Sequence, residues 1–138
     1  MKKWIIVLMA ALISAFSLTA CTQAADSDRL TPAFIGDYVT KVDIQHHRGG
    51  KSTQWAAEGE DVDTLRDWAS KLECELLEYE AGQSPGDCNG GEIYNFTLTE
   101  GDDPGFSYVI SGPNQCYLLI EGTWYSVLNP SNPPVTEP

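Results

Sequence analysis

The stretch CYLLIEGTWYSVL, residues 116–128, decides the fold. It reads as two β-strands joined at Glu121-Gly122, because apolar residues alternate on either side of a pair suited to a tight turn. In the first strand Cys116, Leu118 and Ile120 face one way and Tyr117 and Leu119 the other. In the second, Tyr125 and Val127 oppose Trp124 and Leu128. Both faces are apolar, so both call for cover. Just upstream, IYNFTLT (93–99) and FSYVIS (106–111) are similarly β-rich, set off by EGDDPG and GPN. Four short strands with tight connections predict an antiparallel meander.

Further toward the N-terminus, DYVTKVDIQHH (37–47) also alternates, with Tyr38, Thr40, Val42 and Ile44 on one side. RGGK turns the chain, and STQWAAEG (52–59) returns beside it as a hairpin. Val62, Leu65, Trp68, Ala69 and Leu72 then recur at helical spacing, with Asp61 as the expected cap and Asp63 in the first turn. CELLEY (74–79) fits either the end of that helix or another strand. The fold class is α+β: one amphipathic helix packed on an antiparallel sheet of five to seven strands. A helix is about 10 Å across, whereas five strands span about 19 Å between the outer two. One helix cannot cover both faces of such a sheet. Either the N-terminal hairpin curls round to close the second face, or Tyr117, Leu119 and Trp124 form an apolar patch for a partner.

The chain begins Met1-Lys2-Lys3 and continues with an apolar run from Trp4 to Ile13, the layout of a secretory signal. Residues 4–20 are short for a membrane span, which needs about 20 apolar residues. The run closes on Leu18-Thr19-Ala20-Cys21, which resembles the lipobox of bacterial lipoproteins. The resemblance covers residues 1–21. It implies diacylglycerol on the Cys21 sulfur, cleavage before Cys21, and an extracytoplasmic protein anchored to the cell membrane. Thr22, in place of an aspartate, implies the outer membrane where the cell has one. The expected organisation is a signal peptide over 1–20, a lipidated cysteine and tether over 21–33, one domain over 34–128, and a Pro-rich tail over 129–138 that is extended rather than packed.

Removing residues 1–20 takes away Lys2 and Lys3, so the net charge of −12 becomes −14 over the remaining 118 residues. That length suits one domain. The charge argues against nucleic acid and against attraction to an anionic bilayer surface. With Cys21 acylated, Cys74, Cys88 and Cys116 remain. A Cys74–Cys88 bridge would close the Gly- and Pro-rich loop between them, and Cys116 reads as a buried thiol.

Signals for chemistry are sparse. His46 and His47 are adjacent, so on a strand they point to opposite faces and cannot share a metal. They read as polar residues at a strand end. Asp87, Asn89 and Glu92, with Glu100, Asp102 and Asp103, offer oxygen ligands for calcium, but their spacing departs from a calcium loop, and Asp, Asn and Gly also serve turns. No Gly-x-Ser-x-Gly elbow or Cys-x-x-Cys pair is present, and no cofactor motif. Paired carboxylates leave a small hydrolase as the least favoured reading. The expectation is a non-enzymatic binding domain with an envelope protein as partner. The alternative is capture of a glycan or small ligand by Tyr94, Tyr108, Tyr117 and Trp124.

Overall fold

The computed structural model describes residues 29–30, 35–80, 82–85, 91–99 and 105–138. In chain order the elements are β1 (Arg29–Leu30), β2 (Lys41–Arg48), β3 (Lys51–Glu58), α1 (Glu60–Ser70), β4 (Cys74–Leu77), β5 (Glu92–Leu98), β6 (Phe106–Gly112), β7 (Gln115–Ile120) and β8 (Thr123–Val127). All eight strands form one sheet in the order β1-β4-β8-β7-β6-β5-β2-β3, antiparallel throughout. The fold is α+β, as the sequence predicts. Its sheet has one strand more than the widest expected, because CELLEY supplies the seventh and two residues of the tether region, β1, pair with that strand's outer edge.

Two hairpins close through two-residue turns with left-handed backbone at both positions, Gly49-Gly50 and Glu121-Gly122. Such turns match the twist of the strands they join. At Pro113-Asn114 the proline fits the first turn position and Asn114, at φ 60°, takes the left-handed second.

The helix begins two residues earlier than the sequence suggests. Gly59, not Asp61, is the N-cap, at φ 60° and ψ −125°, and its carbonyl accepts from the amides of Val62 and Asp63. No side chain caps this end; Glu60, Asp61 and Asp63 in the first turn instead complement the positive end of the helix dipole. Val62, Leu65, Trp68 and Ala69 are buried on one stripe, followed by Leu72. Arg66 reaches from the flank of α1 to the carbonyls of Gly36 and Val39, at 3.3 and 2.7 Å, and ties the segment before β2 to the helix.

The sheet's two faces differ sharply. One holds Val42, Ile44, Phe96, Leu98, Tyr108, Leu118 and Val127, all buried with the helix stripe in a single core. The other carries the alternate residues, mostly half-buried. The N-terminal hairpin does not fold over this second face; it extends the same sheet at the β3 edge.

The C-terminal segment departs from expectation. It has no regular secondary structure, as its prolines require, yet it is docked and not free: Pro133 is buried and Val135 packs against the core. The aromatic rings and polar tips facing it offer contacts that sequence composition does not reveal. Cys21 and Cys88 lie outside the described residues. Cys74 and Cys116 are both buried on the core face, on strands separated by β8. Two strand spacings put their Cα atoms near 9.6 Å, beyond the ~7 Å limit for a disulfide, so they cannot bridge each other.

Candidate functional site

The sheet face opposite the helix, over which no described helix or strand packs, is the open face, and it is laid out by strand register. One cross-strand row runs His47–Ile93–Val109–Tyr117–Ser126–Glu75, and the next runs Gln45–Asn95–Ser107–Leu119–Trp124–Leu77. The structure therefore brings the predicted residues Tyr117, Leu119 and Trp124 together and adds Leu77, Ile93 and Val109. These six form a contiguous apolar area, because cross-strand neighbours lie about 4.5–5.5 Å apart. Val109, at its centre, is 2% exposed; the others are half-buried. Toward β2 the face turns polar through Asp43, Gln45 and His47, with Asn95 accepting a 2.7 Å hydrogen bond from Ser107 Oγ.

At the β4–β8 end the patch runs into a groove of about 420 Å³. Leu77, Tyr79 and Trp124 supply its apolar wall, and Glu78 and Glu80 stand at its rim. Among the described residues no Lys or Arg lines it. The groove thus pairs an aromatic surface with negative charge, which suits an apolar side chain flanked by cations.

The core face holds a second polar cluster. His46 follows Val42 and Ile44 in phase along β2, so it points into the core and is 6% exposed, while His47 lies on the opposite face. It is not an exposed strand-end residue. Its Nε2 lies 2.6 Å from Glu92 Oε1, and its Nδ1 meets a carboxylate oxygen of Glu137. Tyr94, its neighbour on β5, stacks on the imidazole with ring centres 4.1 Å apart and donates to Glu92 at 2.9 Å. Burial, then the bond to Glu92, pushes the Tyr94 hydroxyl up to about 12. The two carboxylates approach the imidazole from opposite nitrogens, so the three groups do not converge on one point. Among the described residues no set of three His, Cys, Asp or Glu side chains is placed to hold a metal. Asp87, Asn89, Glu100, Asp102 and Asp103 lie outside those residues, whereas Glu92 is engaged by His46 and Tyr94.

The sequence signal for His46 is its phase: the alternation that buries Val42 and Ile44 buries it too. Glu137 carries no such signal, because it lies 91 residues away on a segment without periodicity. The four aromatics proposed for glycan stacking divide between the faces. Tyr94 and Tyr108 lie on the core side, Tyr108 fully buried, whereas Tyr117 and Trp124 lie on the open side. No single ligand can stack on all four. No family model, curated protein or solved structure matches the chain.

Proposed function

We propose that this protein is a lipid-anchored envelope lipoprotein whose domain binds another protein through the open sheet face. The observation that carries this reading is the contiguous apolar area of Leu77, Ile93, Val109, Tyr117, Leu119 and Trp124, opposite the face that the helix and C-terminal segment cover. An apolar centre with a polar margin is the arrangement of a protein interface, and Tyr and Trp contribute most to such contacts. The acidic groove beside Trp124 favours a partner presenting basic residues around its apolar contact.

The lipobox supports the location. From Cys21 to Arg29, the first residue paired in the sheet, the chain can span at most ~29 Å at ~3.6 Å per residue. A lipid on Cys21 thus keeps the β1–β4 edge, with the groove beside it, within that reach of the bilayer. Confinement raises the effective concentration of the domain toward other envelope proteins.

Two experiments test the reading. Radiolabelled palmitate supplied to cells should enter the wild-type protein and not Cys21→Ser; label in both would remove the anchor. In-cell crosslinking of the full chain should yield a discrete adduct that is lost in Tyr117→Ala and Trp124→Ala while both variants keep the wild-type circular dichroism. Adducts that persist in both variants would place the interface elsewhere.

A further inference from the structure

The C-terminal segment lies across the core face in the manner of a bound peptide. It pairs with no strand. Its polar contacts to the rest of the protein come from side chains, and they recur along its length. Asn129 Oδ1 accepts from the Glu73 amide at 2.7 Å and its Nδ2 donates to the Lys71 carbonyl at 2.8 Å. At Ser131 the protein reads the peptide backbone: the Tyr108 hydroxyl donates to the Ser131 carbonyl at 2.8 Å and accepts from its amide at 3.3 Å. The Trp68 indole donates to Ser131 Oγ at 2.9 Å. Pro133 is buried, Val135 touches the core, and the Glu137 carboxylate meets His46. Beneath these points the floor is aromatic, with Trp68 against both Phe96 and Tyr108 and His46 stacked on Tyr94.

This is the chemistry by which folded domains hold proline-containing segments: aromatic walls, donors to backbone carbonyls, and a ligand that loses little entropy because proline has already restricted it. The fit is also incomplete. Beside Val135 a cavity of about 270 Å³ remains, lined in part by Ile44, Trp55, Ala57 and Pro134. The floor there accepts a larger apolar side chain than the valine it holds.

We infer that the core face is a recognition groove for an extended, proline-containing segment of a partner protein, bearing an apolar residue two positions before a carboxylate, and that the chain's own tail is its resident occupant. Val135 and Glu137 fill the two defining positions in cis. The tail masks the groove by its high local concentration, in the millimolar range for a short connection, so a partner segment must fit better than Val135 does. This groove is distinct from the open face, and the inference does not depend on that surface.

The test uses the full chain and a fluorescent decapeptide of the sequence Asn129–Pro138, read by anisotropy. Pro133→Gly, Val135→Gly and Glu137→Gln, combined in the chain, loosen the resident tail without touching the groove. The loosened chain should keep its circular dichroism and bind the decapeptide at least ~10-fold more tightly than the wild-type chain. Replacing Glu137 by Gln in the peptide should weaken binding by ~10-fold, as loss of a charge-assisted contact does. Replacing Val135 by Leu in the peptide should leave affinity equal or higher. A folded, loosened chain that ignores the peptide would overturn the inference, as would equal binding by both chains or indifference to the glutamate. Unfolding of the loosened chain would overturn it too, because the tail would then be part of the fold and not a ligand.

Discussion

His46 and Tyr108 carry the polar work of the core face, and both do so through partners distant in sequence. Tyr108 is fully buried and holds Ser131 by both its donor and its acceptor capacity. Tyr108→Phe leaves the Ser131 carbonyl and amide without that partner and should destabilise the protein by about 1–2 kcal/mol, measured as a lower urea midpoint. Burial pushes the Cys74 thiol up to about 11, raises Cys116, and raises the hydroxyls of Tyr94 and Tyr108. Above pH ~9 the unfolded chain loses the Cys74 proton while the folded chain keeps it, so unfolding gains ground as the pH climbs toward about 11. Tyr94 acts in the same direction, up to about 12. The urea midpoint should therefore stay level from pH 7 to about 8.5 and fall above about pH 9; a midpoint that rises there contradicts the burial of these groups. By the same cause, iodoacetamide at pH 8 should label Cys74 of the reduced native protein at least ~100-fold more slowly than in urea, and Cys116 more slowly as well, followed by peptide mass mapping. The position of His46 was legible in the phase of its strand. Its partner Glu137 was not, because no local pattern links a tail residue to a ring 91 positions earlier.

At the scale of elements, the sequence disclosed most of what the backbone does. Alternation over 116–128 correctly separates Tyr117, Leu119 and Trp124 from Cys116, Leu118 and Val127, and helical spacing correctly selects Val62, Leu65, Trp68 and Ala69. The cap lies two residues before the position that the sequence suggests, because Gly59 caps through backbone geometry and not through a side chain that a sequence displays. Strand CELL was ambiguous because four residues hold too few repeats to separate the two periods. Two glycines distinguish backbone strain from crowding. At Gly59, φ +60° with ψ −125° is a conformation that glycine alone adopts readily, but no atom lies within 4 Å of where a Cβ would sit, so Gly59→Ala should cost about 1–3 kcal/mol from the backbone alone. At Gly105, φ is +99° and a Cβ would fall 1.9 Å from the Phe96 carbonyl oxygen. Gly105→Ala must therefore push β5 and β6 apart and should cost about 2–4 kcal/mol. Paired chemical denaturation of the two variants checks the order; equal losses would mean that the β5–β6 approach yields easily.

For the whole molecule, the division of labour between faces is the organising fact. The helix and the docked C-terminal segment share one face of an eight-stranded sheet. Its other face is left with a polar half near β2 and an apolar half centred on Val109 and bordered by Trp124. The comparison of helix width with sheet width anticipates that one helix cannot close both faces. It does not anticipate the tail, because a Pro-rich composition predicts the absence of regular structure and says nothing of docking. The most direct test places a photo-crosslinking amino acid at single positions of the open face in cells. Positions 117, 119 and 124 sample its apolar half, and positions 45 and 97 its polar half. The account predicts one common protein adduct from the first three and none from the last two. Adducts of equal yield from all five, or none from any, would contradict the assignment of the apolar half as the partner-binding surface.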